Sequence, residues 1–282
     1  MRVKITSDST CDLPSEIISR YDIGIAPILI IKDDKTYKDG IDITVNDIFE
    51  YVESGAGMTQ SCALNVSDYN EYFVRWRKEC DALIHITISS GFSSCHQSAR
   101  IAAEELDNVY VVDSMNLSTG SGLIVLDAAV MALSGMPPEQ IVKELEMLVR
   151  RVEASFVIGN LKYLRLGGRC SGLAALGANL LKLNPCIEVI KGKMEVGKKY
   201  RGSFDKIILQ YVEERLKNRD DIDDKRIFVT FPPTVSPSLV ESVVAKIKSL
   251  QDFKEITVCE AGCVISNHCG PICLGILFYR KP

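Results

Sequence analysis

The sequence lacks several features that mark large classes of protein. Basic residues do not exceed acidic ones, with 33 Lys and Arg against 37 Asp and Glu, so no surface suited to nucleic-acid phosphates is expected. No apolar run approaches the roughly 18 residues of a membrane-spanning helix. The opening residues, MRVKITSDST, enter a strand pattern directly, without the apolar stretch of an export signal. We therefore expect a soluble, cytoplasmic protein with no nucleic-acid partner and no stable membrane insertion.

The sequence also lacks the tight cysteine spacing of a typical structural metal site. Ten cysteines are scattered over 282 residues, and we interpret them as reduced thiols. Four of them flank His268 in two C-x3-C steps: Cys259, Cys263, Cys269 and Cys273. Structural zinc sites usually use C-x2-C knuckles on turns, whereas these thiols fall in or beside apolar, strand-like runs. Buried thiols that pack as small apolar side chains are the favoured interpretation, and no metal is predicted.

Strands alternate with helices through the first half of the chain. Residues 3–6, 81–89 and 109–114 have the pattern of strands, and helical patterns lie between them. One helix, in TVNDIFEYVES, is predicted to be capped by Thr44 or Asn46. This alternation favours a parallel, doubly wound sheet.

After about residue 154 the pattern changes. CIEVIKGKMEVGKKYRG predicts a hairpin, and the last stretch, from Glu255, predicts two or three strands with little helix. We predict an α/β fold in two domains: a mostly parallel N-terminal domain over residues 1–154 and a C-terminal domain over residues 155–282 with a more antiparallel sheet. Between them, residues 161–183, LKYLRLGGRCSGLAALGANLLKL, predict a glycine-rich loop that enters an apolar helix.

One segment imitates a nucleotide-binding loop. Residues 192–199, GKMEVGKK, match G-x-x-x-x-G-K but end in Lys199 where magnesium binding requires Ser or Thr. They also lie inside the predicted hairpin, where backbone amides would not converge on a phosphate. Kinase activity in this polypeptide alone is therefore not expected.

A serine-rich segment, SSGFSSCHQSAR at residues 89–100, follows a predicted strand and opens a helix. Gly91 and Ser93 resemble the nucleophile elbow G-x-S-x-G without its last glycine. One hypothesis is therefore a serine hydrolase or acyltransferase using Ser93 and His268, although no partner acid can be assigned. The other is anion binding, in which helix N-terminal amides and the Ser93 hydroxyl hold a small anion or carboxylate.

Arg169 follows two glycines in LRLGGRCSG. A surface arginine in a flexible loop would explain it. Arginine is also the side chain best suited to bind a carboxylate, and the two glycines allow a ligand to approach the backbone closely.

Six segments together resemble the DegV family of bacterial fatty-acid-binding proteins. In the family's order they are SDSTCDLP, SSGFSSCHQSA, VVDSMNLSTGSG, LKYLRLGGRCSG, GKMEVGKKYRG and NHCGPICLGILFY. The resemblance implies a two-domain α/β fold with one long-chain fatty acid held between the domains, and no other cofactor. It further implies a non-catalytic subunit of a fatty acid kinase system, which presents the carboxylate to a separate kinase that makes acyl-phosphate for phospholipid synthesis.

The resemblance also implies which residues bind the carboxylate. Ser93 matches the serine of the family's G-L-S-G-T turn, with Ser94 beside it. Arg169 matches the arginine of G-G-R-I, and His268 the histidine of H-T-G-P-G. Ser61 is aligned with the family's first threonine in T-S-Q-P-S.

That last loop is otherwise missing from this sequence, so Thr59 is the alternative to Ser61. Arg201 matches a basic position and is a candidate contact for the kinase, although an exposed hairpin arginine explains it equally well. Two further departures, Ser94 to His96 in place of Gly-Thr-Tyr and Ile272 in place of a glycine, bear on the identity of the ligand more than on the fold.

Overall fold

The computed structural model describes residues 1–170 and 183–282. Its helices are α1 (Ser15–Arg20), α2 (Val45–Glu53), α3 (Val66–Arg77), α4 (Cys95–Glu104), α5 (Ser118–Leu133), α6 (Pro138–Val149), α7 (Leu161–Gly167), α8 (Phe204–Leu216), α9 (Pro237–Leu250) and α10 (Cys263–Cys269). Its strands are β1 (Val3–Asp8), β2 (Gly24–Ala26), β3 (Leu29–Lys32), β4 (Lys35–Lys38), β5 (Gln60–Cys62), β6 (Ala82–Thr87), β7 (Val109–Asp113), β8 (Val152–Ile158), β9 (Asn184–Ile190), β10 (Lys193–Tyr200), β11 (Ile222–Phe231), β12 (Ile256–Glu260) and β13 (Cys273–Arg280). None of the helices in these two ranges has the length and apolar character needed to cross a bilayer. The apolar helix predicted after Arg169 lies outside the described residues.

The first sheet consists of four parallel strands in the order β2-β1-β6-β7. Parallel strands covered on both faces need nearly continuous apolar runs, and every residue of β6 is buried. Leu83 packs in the same cluster as Phe73 of α3. Its neighbour Ile84 packs on the other face with Leu123 of α5. Helices therefore cover both faces, as a doubly wound sheet requires.

The second sheet has six strands in the order β10-β9-β8-β13-β11-β12, antiparallel except for the β11–β12 pair. Helices α8 and α9 cover one face, around Tyr211 and Val243. Helix α5 contacts β8, β11 and β13 of this sheet as well as β1 and β6 of the first, so it joins the two layers. The predicted α/β class, with a parallel first sheet and a more antiparallel second one, is confirmed. The second sheet begins at Val152. The domain division after residue 154 stays a prediction.

Two smaller features position the site. A third, antiparallel sheet, β4-β3-β5, pairs Ser61 with Ile30. The predicted hairpin is formed by β9 and β10, which pair antiparallel around Lys191 and Gly192. The G-x-x-x-x-G-K sequence therefore lies in a hairpin.

The last stretch contains the predicted strands, as β12 and β13, and between them the short helix α10, which the sequence pattern did not identify. It starts after Gly262, which has no side chain with which to cap it. The acceptors come from far away in the sequence: Asp12 accepts the N–H of Gly262, and Asp39 accepts that of Cys263, both at 2.9 Å. A cap supplied by distant residues leaves no local signal for a helix start.

Helix α7 replaces the first part of the predicted glycine-rich loop. The Asn160 side chain accepts the N–H of Lys162 at 3.0 Å and caps the helix start. Gly168, with φ of 66°, ends it in the left-handed conformation that favours glycine. The loop prediction was therefore wrong for residues 161–167.

Candidate functional site

A cavity of about 430 Å³ lies between the first and third sheets, helix α10 and the β9–β10 hairpin. Among the described residues, its apolar wall includes Ile28, Ile88, Phe92, Leu117, Met194, Val264 and Ile265. Its polar groups include Thr10, Ser61, Ser93, Ser94, Arg169 and His268. Five of the six residues of the predicted carboxylate-binding set thus line one cavity, and Thr59 does not. Its volume is in the range of about 300–1,000 Å³ that is usual for small-molecule sites.

Ser61 and His268 form the central polar contact of this cavity. The Ser61 Oγ lies 2.8 Å from Nε2 of His268, although the two residues are 207 positions apart. Thr59 instead donates to Asn267 and is buried. Of the two alternatives for the missing loop, the structure therefore places Ser61 on the cavity.

The His268 imidazole is held neutral. Burial, together with the nearby positive charge of Arg169, lowers the pKa of His268 to about 4. Its Nδ1 is buried without a hydrogen-bond partner in the described part of the chain. When Nε2–H donates to Ser61, the hydroxyl proton of Ser61 is available to an anionic oxygen in the cavity.

Gly167 makes room for this imidazole. A Cβ at this position would lie 2.3 Å from Nδ1 of His268, far inside contact distance. The glycine at the end of α7 therefore permits the close approach of α7 and α10 that brings Arg169 near His268.

Arg169 follows the left-handed Gly168 and is exposed. Its guanidinium donates to the carbonyl of Gly167 at 2.6 Å while it also lines the cavity. Arg201 is exposed just after β10 and is not among the residues that line the cavity.

The serine turn at residues 89–95 uses its amides internally. The N–H groups of Phe92 and Ser93 donate to the carbonyl of Ser89 at 3.0 and 3.3 Å. The N–H of Cys95 donates to Oγ of Ser93 at 3.2 Å. The expectation that free amides bind an anion is wrong for these three groups. The hydroxyls of Ser93 and Ser94 remain as the polar side chains that this turn brings to the cavity.

The turn is also tied to the hairpin of the second sheet. Ser89 Oγ donates to the carbonyl of Gly192 at 2.7 Å. A Cβ on Gly91 would lie 2.2 Å from that same oxygen. Gly91 therefore serves close packing against the hairpin.

The structure does not form the Ser93–His268 pair of the hydrolase hypothesis. The hydroxyl of Ser93 donates to Sγ of Cys95 at 3.1 Å, while His268 is engaged by Ser61. The Ser61–His268 pair has no carboxylate on Nδ1 in the described residues, so it lacks the third member of a catalytic triad.

The cysteines near His268 are buried: Cys259, Cys263, Cys269 and Cys273. Desolvation raises the pKa of the Cys263 thiol to about 12. Within residues 1–170 and 183–282, no group of three or more His, Cys, Asp or Glu side chains is arranged to hold a metal ion. Cys263 and Cys269 lie on α10, so the strand interpretation is wrong for these two.

Sequence reasoning missed a group of buried carboxylates beside the cavity. Thr10, in the cavity wall, donates to Asp8, which also accepts the N–H of Ile88 at 2.9 Å. Burial raises the pKa of Asp8 to about 6 and that of Asp12 to about 8. The available signal was the polar segment SDSTCDLP, which begins in the last two residues of β1 at the carboxyl edge of a parallel sheet, where ligands of such folds bind.

Comparison with known proteins agrees with this fold. The sequence matches the family described as "Uncharacterised protein, DegV family" over residues 2–281. A DegV domain-containing protein of Caldanaerobacter subterraneus subsp. tengcongensis is 31% identical over 282 residues, which cover 99% of each chain. The solved structure of a fatty-acid-binding DegV family protein from Thermus thermophilus has a TM-score of 0.88 at 29% identity, covering 99% of this chain and 100% of that one. That of DegV, a fatty acid binding protein from Bacillus subtilis, has a TM-score of 0.85 at 26% identity, covering 100% of both chains. This chain belongs to the DegV family.

Proposed function

We propose that this protein binds a long-chain fatty acid, with its carboxylate held by Ser61, Ser93, Arg169 and His268. The observation that carries the proposal is the Ser61–His268 contact, which sits beside Arg169 in an otherwise largely apolar cavity. The relatives from Thermus thermophilus and Bacillus subtilis, described as fatty acid binding, support the same ligand class.

The apolar part of the cavity provides most of the affinity. At about 0.8 kcal/mol per buried methylene, a tail of roughly 15 methylenes gains on the order of 12 kcal/mol. Part of this gain is offset by several kcal/mol of lost motion and desolvation. The polar groups therefore serve mainly to fix the orientation of the ligand.

The carboxylate still needs partners, because an unpaired carboxylate removed from water would be protonated instead. Arg169 supplies a positive charge, and Ser93 supplies a hydroxyl donor once its proton turns from Sγ of Cys95 to the ligand. Neutral His268, by donating to Ser61, directs that second hydroxyl proton towards the ligand. Arg169 and Ser94 are exposed, so the polar end of the cavity reaches the surface.

This opening supports the second part of the proposal: the chain presents the carboxylate to a separate kinase for acyl-phosphate formation and does not catalyse the transfer itself. A carboxylate oxygen must be reachable before it can attack a phosphoryl group. Arg201, exposed after β10, is proposed as a contact for the kinase.

Native mass spectrometry of gently purified protein tests the ligand. We expect a bound species in the mass range of long-chain fatty acids. Arg169→Gln should weaken binding of added hexadecanoic acid about tenfold or more, because a charge-assisted contact is lost. Arg165→Gln, at an exposed position of α7 that does not line the cavity, should not. Protein that is consistently ligand-free and takes up no added fatty acid would refute the proposal.

Two further measurements separate the remaining possibilities. An activity-based serine probe that labels Ser93 or Ser61 would favour a hydrolase over a carrier. Arg201→Ala should reduce acyl-phosphate formation in the presence of a bacterial lysate that contains the kinase, with the fatty acid affinity unchanged. Equal acyl-phosphate formation by this variant and the wild type would remove Arg201 from the proposed interface.

A further inference from the structure

The turn SDSTCDLP has no role in the proposed ligand contacts, except that Thr10 lines the cavity. It nevertheless places Asp12 next to a second buried carboxylate, Asp39, just after β4. Neither carboxylate lines the cavity. Both contact the start of α10, the helix that carries His268.

The contacts at the start of α10 are specific. Oδ1 of Asp12 accepts the N–H of Gly262, and Oδ1 of Asp39 accepts the N–H of Cys263, both at 2.9 Å. The first N–H groups of a helix have no acceptor within the helix, and Gly262 offers no side chain to supply one. Two residues from the other end of the sequence therefore supply the cap.

The second oxygen of each carboxylate is also bound, which fixes its orientation. Ser118 Oγ donates to Asp12 Oδ2 at 2.6 Å, and Ser9 Oγ donates to Asp39 Oδ2 at 2.7 Å. Ser9 in turn accepts the N–H of Ile28 at 3.1 Å. Ile28 lines the cavity, and so does Leu117, the neighbour of Ser118. The start of α10 is thus tied to the same elements that form the opposite wall.

We propose that Asp12 and Asp39 are positioning residues for the ligand's carboxylate, an inference that rests on the proposed fatty acid function. His268 lies five residues beyond Cys263, about 7.5 Å along the helix axis. Displacing the start of α10 by about 1 Å would therefore carry over to the imidazole and stretch its 2.8 Å contact with Ser61 beyond hydrogen-bonding distance. The buried carboxylates thus control the head-group site without touching the ligand.

The test compares an acid with an alcohol of the same length. Asp39→Ala should weaken binding of hexadecanoic acid about tenfold. This is the loss expected when the Ser61 hydroxyl no longer donates a hydrogen bond to the charged carboxylate of the ligand. Binding of hexadecan-1-ol, which has the same tail without the carboxylate, should change less than about twofold. Asp39→Asn keeps an oxygen acceptor for the N–H of Cys263 and should recover most of the affinity for the acid. Asp42→Ala, an exposed neighbouring acid, is the matched control and should leave both affinities unchanged.

The outcomes are distinguishable. If Asp39→Ala weakens binding of the acid and of the alcohol equally, the side chain of Asp39 is only structural and the inference is wrong. The same holds if Asp39→Ala binds the acid like the wild type. Wild-type protein that binds neither compound would instead refute the proposed function. If Asp39→Ala does not fold, as judged by circular dichroism, Ser9→Ala releases the second oxygen of Asp39 and should show the same selective loss for the acid.

Discussion

The neutral state of His268 predicts a measurable loss of stability in acid. The pKa of this imidazole is lowered from 6.5 to about 4 by burial and by Arg169. Below about pH 6.5 the unfolded chain binds a proton here while the folded chain does not. The free energy of unfolding therefore has its full contribution from neutral His268 above about pH 6.5. This contribution is lost as the pH falls from about 6.5 towards 4. Between about pH 7.5 and pH 5 the loss amounts to about 2 kcal/mol.

A difference between variants isolates this contribution, because other buried groups titrate in the same range. The pKa values of Asp8 and Asp12 are raised, so their contributions to stability fall as the pH rises, opposite in sign to that of His268. His268→Gln removes only the imidazole. Urea unfolding at both pH values should show that this variant loses about 2 kcal/mol less than the wild type on acidification.

Ser61→Ala is the control, since it removes the hydrogen bond but keeps the titrating ring. It should retain the acid sensitivity of the wild type. If His268→Gln and the wild type lose the same free energy of unfolding between the two pH values, the imidazole is not held neutral as described above.

Three further substitutions test the packing. Gly167→Ala should displace the imidazole of His268, because its Cβ would lie 2.3 Å from Nδ1, and weaken fatty acid binding in a titration calorimeter. In Gly168→Ala the added Cβ meets no atom within 4 Å, but the backbone φ is +66°. This variant should therefore lose about 1 kcal/mol of unfolding free energy and keep its affinity for fatty acid. Equal binding by the two glycine variants would contradict the steric argument. Phe73→Ala, in a fully buried position beside Tyr69, should cost about 3–5 kcal/mol in urea unfolding. A cost as small as that of a surface substitution would place Phe73 outside the core.

The parts of the fold that could be predicted are those with local signals. Strand β6 is fully buried and was predicted from its apolar run. Thr44 was predicted as a possible cap of α2, and its side chain accepts the N–H of Asp47 at 3.3 Å. Both signals lie within a few residues of the element that they define.

Helix α10 could not be predicted for the opposite reason. Its cap depends on Asp12 and Asp39, more than 200 residues away in the sequence. The short apolar run from Cys263 has no local sign that separates a buried helix from a strand.

In the candidate site, too, some features could be predicted from the sequence and others depend on contacts between distant residues. Ser61, Ser93, Arg169 and His268 were selected through a family resemblance, and the structure brings them to one cavity. Their partners could not be selected in this way: the contact of Ser61 with His268 spans 207 residues, and the bond between Ser93 and Cys95 removes the hydrolase pairing. Their contact with a carboxylate stays a prediction.

Folding of both sheets depends on residues 263–280, which are synthesised after all the other helices and strands described above. Strand β13 occupies an interior position in the second sheet, between β8 and β11. The region around the first sheet also depends on α10. Without this helix, the carboxylates of Asp12 and Asp39 would lack the N–H groups of Gly262 and Cys263 that they accept in the folded protein. On the ribosome, these contacts cannot form until residues 263–280 have emerged from the exit tunnel. A chain stopped at Glu260 should therefore be digested rapidly by a protease over its whole length, and a protease-resistant N-terminal half would show that it folds without this closing segment.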